Sequence, residues 1–247
     1  MWLEGKNAIV YGGGGSIGGA VARAFAREGA HVHLAGRTGA SLDAVANDIR
    51  AAGGAAETAV LDALDERAVD EHADAVDRVD ISFKAIADGD VQGTPMWEMP
   101  VEDYVHVVEH TVRGTFITWR AAARRMVRQG GGVILAFGGE GDPPRGFHLG
   151  GLQTAFHAVE AMRRQLSVEA GAHGVRVVTL RTGGVPESIP PGFAGRDALV
   201  KSLEDATLLG RCATLEDVGN VAAFVASDYG RTMTAATVNV SAGTLLD

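Results

Sequence analysis

Two periods of apolar and polar residues alternate along this chain. Short, mostly apolar runs occupy 8–11, 31–35, 57–61, 79–83, 132–137, 175–180 and 237–240. Their length and β-branched content predict strands, and apolar side chains on both faces predict strands buried between two layers. Longer stretches at 17–28, 41–52, 66–76, 101–128, 154–172 and 216–226 carry apolar residues at three- and four-residue spacing. That spacing predicts amphipathic helices, each turning one face to the core. Strands separated by helices of this length predict an α/β fold of the Rossmann type. The sheet is expected to be doubly wound and parallel, of about seven strands with helices on both faces. No linker, repeat or low-complexity tract interrupts the pattern, so residues 1–247 read as a single domain. The least regular stretch, 182–198, holds Pro186, Pro190 and Pro191 and is a candidate substrate flap.

Bulk composition narrows the function classes. Apolar residues make up 46% of the chain, which suits a packed core and not a disordered segment. No apolar run reaches the roughly 18 residues that span a bilayer, so no membrane partner is expected. A net charge of −9 argues against a nucleic-acid partner and leaves a small-molecule substrate. The single cysteine, Cys212, cannot form an internal disulfide, and the first residues show no signal-peptide pattern. Both predict a cytoplasmic protein.

Candidate chemistry begins at the first strand. It runs into Gly12-Gly13-Gly14-Gly15-Ser16-Ile17-Gly18-Gly19, and an alanine-rich helix leaves that turn. Glycines allow backbone N–H groups to approach a pyrophosphate, and a helix N-terminus favours its negative charge. At the end of the second strand stand Gly36 and Arg37, where an NAD site usually has an acid for the ribose 2′-hydroxyl. A guanidinium can instead bind a 2′-phosphate bidentately. NADP(H) is therefore favoured over NAD(H).

With these residues in view, the chain resembles the short-chain dehydrogenase/reductase family over nearly its whole length. The family's opening Thr-Gly-x-x-x-Gly-x-Gly falls on Tyr11 to Gly18; its first and last glycines match Gly12 and Gly18, while Tyr11 replaces the threonine and Ser16 the middle glycine. The adenine-binding aspartate after the third strand falls on Asp62. Leu209-Gly210-Arg211, Glu216-Asp217-Val218, Phe224 to Asp228 and Asn239 to Gly243 follow the family's closing pattern. The resemblance implies cofactor binding by Gly12, Ser16, Ile17, Gly18, Arg37 and Asp62. It also implies a homo-oligomer, most commonly a tetramer paired through the long helix, the helix after the fifth strand and the last strand. Trp119, Phe116 and Met126 on the long helix are interface-like in composition, and Arg120, Arg124, Arg125 and Arg128 read as a solvated or intersubunit stripe.

The resemblance fails where the family's reductases do their chemistry. They use Tyr-x-x-x-Lys on the helix after the fifth strand, a serine just after that strand and an asparagine on the long helix. Aligned through Ala158-Val159-Glu160, the lysine falls on Phe156, the tyrosine on Leu152, the serine on Gly138 or Gly139, and the asparagine on Thr111. Lys84-Ala85-Ile86-Ala87 replaces the Asn-Asn-Ala-Gly of the fourth strand. No change of register restores the pair. The tyrosines are Tyr11, Tyr104 and Tyr229, the lysines Lys6, Lys84 and Lys201, and none stand four apart.

Leu152 and Phe156 are one helical turn apart and should together give an apolar pocket floor, with Gly138 and Gly139 at its rim. Among nearby polar residues, Glu140, Asp142 and Arg145 read as a solvated loop and His157 as surface or packing. Lys84, at the sheet's ligand edge, and His148, whose imidazole can serve as general acid or base, are the candidate catalytic residues. The first reading is thus an atypical NADP(H)-binding oxidoreductase. Its substrate would be a small apolar carbonyl or alkene, with a proton from His148 or water. The alternatives are a non-redox cyclase or isomerase on the same fold, and a catalytically silent binding or scaffold protein.

Overall fold

The computed structural model describes residues 1–86, 89, 91–138 and 147–246. Its strands are β1 (Asn7–Tyr11), β2 (His31–Gly36), β3 (Ala55–Val60), β4 (Ile81–Lys84), β5 (Gly132–Gly138), β6 (Val175–Arg181) and β7 (Ala236–Asn239). The helices are α1 (Ser16–Arg27), α2 (Gly39–Ala51), α3 (Glu66–Ala75), α4 (Val101–Gln129), α5 (Leu152–Ala170), α6 (Arg196–Asp205) and α7 (Leu215–Ala226). All strand pairs are parallel, in the order β3-β2-β1-β4-β5-β6-β7. The chain winds outward from β1 in one direction and from β4 in the other. Such a reversal opens a crevice at the carboxyl ends of the strands. Tyr11 lies beside Lys84, and Lys84 beside Ala136, so the ends of β1, β4 and β5 are nearly level there.

Alternation along each strand divides the core in two. Ala8 and Val10 of β1 join Val21, Phe25, Val45 and Val218 from α1, α2 and α7. Ile9 and Tyr11 join Val69, Ile117, Met126 and Val159 from α3, α4 and α5. Both sheet faces are therefore covered, as the apolar strands predicted. No helix among the described residues is long and apolar enough to cross a membrane.

Sequence expectation and structure differ at several points. Helix α5 begins at Leu152 and not at 154, because Gly151 caps it and accepts from the Ala155 N–H at 2.9 Å. Helix α6 was not anticipated; its apolar residues Leu199, Val200 and Leu203 stand at three- and four-residue spacing, but none of its residues is fully buried. The 182–198 stretch holds the short 3₁₀ turn Pro186–Ser188 and runs into the start of α6. On α4, Trp119 and Met126 are buried inside the chain, whereas Phe116 remains 55% exposed. The arginine stripe of α4 meets acids of α3 within the chain, while Arg124 and Arg128 stay 54 and 65% exposed. Arg120 pairs with Glu66 and Asp70 at 2.8 and 3.1 Å, Arg124 with Asp70 at 3.1 Å, and Arg125 and Arg128 with Asp74 at 3.5 Å.

On the other side of the same layer, a buried charge joins α5 to the last two strands. Glu160 and Arg163 are each 3% exposed. Arg163 donates twice to Glu160 Oε2, at 2.9 and 2.6 Å. Glu160 also accepts from the hydroxyls of Thr179 on β6 and Thr237 on β7. Removing one partner of a buried pair strands the other charge, which typically costs about 3–5 kcal/mol, whereas an apolar replacement of both can be neutral. Glu160→Leu should therefore lower stability by about 3 kcal/mol in urea unfolding, and Glu160→Leu/Arg163→Met should recover most of the loss. Equal stability of the single variant and the wild type would remove this tie.

Candidate active site

The turn between β1 and α1 is shaped by the absence of side chains. Gly12 has φ +79°, in the left-handed region, and a Cβ there would lie 2.2 Å from the Ala85 carbonyl oxygen. A Cβ on Gly18 would lie 2.2 Å from the Gly12 carbonyl oxygen. The turn is thus pressed against the end of β4 below and against its own helix above. Its inner amides are used: Gly12 and Gly13 donate to Ala35 O at 2.8 and 3.2 Å, and Gly15 to Gly12 O at 3.0 Å. The helix's own ladder starts with Gly19 N–H to Gly15 O at 2.7 Å. The amides of Ser16, Ile17 and Gly18 precede it and face outward as open donors, with the positive end of the helix dipole behind them. This cradle fits a phosphate.

Arg37 follows β2 immediately and is exposed, and its guanidinium has no partner among the described residues. Asp62 follows β3. Its Oδ1 accepts from the Leu64 N–H at 3.0 Å, which opens the turn into α3, while Oδ2 carries no partner among the described residues. The six residues expected to hold a dinucleotide therefore lie along one edge, at the ends of β1, β2 and β3.

A second group converges beyond β4. Lys84, Thr111, Thr115, Trp119, Ala136, Phe137, Phe156 and Val159 line a cavity of about 10 Å³, barely room for one water. Lys84 reaches over α4, its Cε 3.5 Å from where a Gly114 Cβ would stand. Phe156 packs onto the end of β5, its ring 3.4 Å from where a Gly138 Cβ would stand. The structure thus unites three separately read positions, Lys84, Thr111 and Phe156, and adds Trp119, which composition alone had assigned to an interface. Leu152 is half-buried at the start of α5 and does not line this cavity. His148 is exposed, with φ +47°, and its carbonyl accepts from the Gly93 N–H at 3.1 Å. It too is absent from the cavity wall. Gly139, Glu140, Asp142 and Arg145, like Ala87, lie outside the described residues.

None of the three tyrosines faces this cavity. Tyr11 is 1% exposed and packs edge-on against His72 at 6.2 Å. Burial, with the charge of Asp70 adding to it, pushes its phenol above the ordinary range. Tyr104 shares a 2.7 Å hydrogen bond with Thr154, and Tyr229 packs on Trp2 at 5.7 Å.

Comparison with known proteins agrees with this arrangement. The family model described as enoyl-(acyl carrier protein) reductase matches residues 13–244. The chain is 31% identical over 244 residues to the galactitol 2-dehydrogenase (L-tagatose-forming) of Cereibacter sphaeroides, covering 98% of this chain and 95% of that protein. A short-chain type dehydrogenase/reductase from Mycobacterium ulcerans superposes with a TM-score of 0.87 at 26% identity, over 99% of this chain and 91% of that one. NAD⁺-bound xylitol dehydrogenase shares the fold, with a TM-score of 0.86 at 22% identity over 98% of this chain and all 100% of that one.

The turn's geometry can be tested without any ligand. In Gly12→Ala the new Cβ meets backbone and cannot turn aside, and the residue must hold a left-handed φ. Strain of this kind costs about 1–3 kcal/mol. Urea unfolding should show a loss in that range, whereas Gly53→Ala, at φ +84° in open space, should lose less.

Proposed function

Because the chain belongs to the short-chain dehydrogenase/reductase family, we propose that it is an NADP(H)-dependent oxidoreductase whose proton donor is not the family's tyrosine, acting on a small apolar carbonyl or alkene. The observation that carries the cofactor choice is Arg37 at the end of β2, without a partner among the described residues, at the same sheet edge as the turn that leads into Ser16, Ile17 and Gly18. A guanidinium there attracts a 2′-phosphate, and no carboxylate stands at the strand end to repel one. Asp62 offers its free oxygen toward the adenine side. Bound NADP(H) would supply or accept the hydride. The xylitol dehydrogenase with the same fold holds NAD⁺, so the discrimination rests on Arg37 and not on the architecture.

For the substrate half, Lys84 supplies from β4 the ammonium that Phe156 displaces from α5. Lys84, Thr111 and Phe156 share one cavity wall, so the lysine side chain borders the space that Phe156 closes. Lys84 is the closer candidate for orienting or protonating a substrate oxygen. His148 stands farther along the chain toward α5 and serves as the alternative donor. The apolar surface of Phe156 favours an apolar substrate. The face of the chain also supports a homo-oligomer, most simply a tetramer: Val101, Val105 and Phe116 on α4 and Val168 on α5 are 72, 46, 55 and 80% exposed.

Thermal melting with each dinucleotide tests the cofactor reading. Ligand at about 100 times its dissociation constant should stabilise the fold by roughly 2.7 kcal/mol. NADP⁺ should shift the transition at lower concentration than NAD⁺, and Arg37→Ala should weaken NADP⁺ at least tenfold while leaving NAD⁺ nearly unchanged. No shift with either at millimolar concentration would remove the cofactor and leave a silent or non-redox protein. An equal response to both would remove the role of Arg37 alone.

Turnover tests the catalytic reading. General acid–base catalysis contributes about 10²–10⁴-fold, so NADPH oxidation with simple ketones should be slow compared with that of a tyrosine-bearing relative. Lys84→Met should reduce it at least tenfold further with little change in melting temperature. Full activity in both Lys84→Met and His148→Gln would return these residues to structural roles.

A further inference from the structure

At the opposite end of β2 from Arg37 lies a cluster that the dinucleotide chemistry does not use. His31 and His33 are two residues apart on one strand, so both side chains stand on the same face of the sheet. Parallel pairing puts Glu57 of β3 directly beside His33. His31 Nε2 is 3.3 Å from Glu57 Oε1, and His33 Nδ1 is 3.7 Å from Glu57 Oε2. The two imidazole rings lie 4.5 Å apart, tilted by 37°. One ligand atom from each of the three residues falls within 4.8 Å of the others.

We propose that His31, His33 and Glu57 bind a divalent transition-metal ion of the zinc class, and that the ion clamps the edge strand β3 to β2. Zinc bonds of about 2.0–2.2 Å at tetrahedral angles place ligand atoms about 3.3–3.6 Å apart, close to the two N–O separations found here. The donor set suits the ion as well: imidazole favours zinc, copper and nickel, and one carboxylate offsets part of the charge. Three protein ligands leave a fourth position for water.

An ordinary histidine–glutamate contact accounts for less of the arrangement. No hydrogen bond joins Glu57 to either ring, although both face it. His33 Nε2 is buried without a hydrogen-bond partner among the described residues, and the other ring nitrogen, Nδ1, is the one turned to Glu57. Metal binding would also meet a specific need. Strand β3 has one neighbour only, and most of its side chains are half or fully exposed, so little apolar burial holds it. From His33 to Arg37 is about 13 Å along an extended strand, so the ion lies outside the proposed dinucleotide site.

The test uses the full chain, freed of metal with a chelator and titrated with Zn²⁺ by calorimetry, then with Co²⁺ by visible absorption. One Zn²⁺ should bind per chain, raise the melting temperature and, as Co²⁺, show the intense visible bands of a tetrahedral site. His31→Ala and Glu57→Gln should each weaken Zn²⁺ at least tenfold and abolish the melting shift. Both residues are substantially exposed, so their variants should fold without metal as the wild type does; His33→Gln is the third arm. The one other imidazole pair that stacks, His106 and His110 on α4 with centroids 5.4 Å apart, provides the control. Zinc affinity that survives His31→Ala and Glu57→Gln, or that falls only in His106→Ala, overturns the proposal. So does absence of binding at millimolar Zn²⁺.

Discussion

A strand must pass into a helix through a space too small for a methyl group, and much of this molecule follows from that. The two oxygens that would collide with a Cβ on Gly12 and Gly18 belong to Ala85 and to Gly12 itself. The first contact presses the turn onto the end of β4, and the second presses α1 onto the turn. Both glycines therefore do mechanical work before any ligand arrives. The inner amides close on Ala35 and Gly12, which leaves the first three helical amides as the outward donors. The same compression brings the end of β1 level with Lys84 on β4 and Ala136 on β5. Phosphate cradle and cavity are thus two sides of one junction.

The layers and strand order were legible because they depend on local period. Apolar runs marked every strand, and three- and four-residue spacing marked every helix that has a buried face. Helix α6 is short, buries none of its residues fully and follows a proline-bearing stretch, so its Leu199, Val200 and Leu203 did not stand out. Charges were harder to read, since a charge declares its sign but not its partner. The arginines of α4 looked solvated until α3 brought Asp70 and Asp74 beside them. Trp119 and Met126 looked like interface residues because large apolar side chains on a helix suit either a core or a partner. Only packing shows that theirs is the core, while Phe116 on the same helix stays outside. His31, His33 and Glu57 drew no notice in the sequence, because the pairing of two parallel strands sets their separation.

The site was half legible in the same sense. Glycines, Arg37 and Asp62 follow a fixed order along strand ends, so their convergence needed only the fold. Lys84 and Phe156 are different. Each stands where another residue type would be expected, and their relation depends on where side chains reach from separate elements. Phe156 fills the space beside Gly138, which has no side chain to resist it. Lys84 crosses toward Gly114 on α4, where again no side chain stands in the way. Two glycines therefore make room for the replacements, one for the ring and one for the ammonium stem.

This pairing bears on the proposal that the proton donor is not the family's tyrosine. An ammonium stabilises a developing oxyanion by charge, whether or not it gives up its proton, and that effect is strongest where water is scarce. The Lys84 cavity holds barely one water and is walled by Trp119, Phe137, Phe156 and Val159, so a charge there is poorly screened. The threonines Thr111 and Thr115 bring two hydroxyls into the same wall. Thr111 Oγ1 is buried without a hydrogen-bond partner among the described residues, an arrangement that normally requires a water or a ligand oxygen. A bound oxygen between Lys84 and Thr111 would satisfy that hydroxyl and meet the cation at once. On the proposed reading, one cation from β4 and one hydroxyl from α4 would together take the part that the family gives to groups on α5.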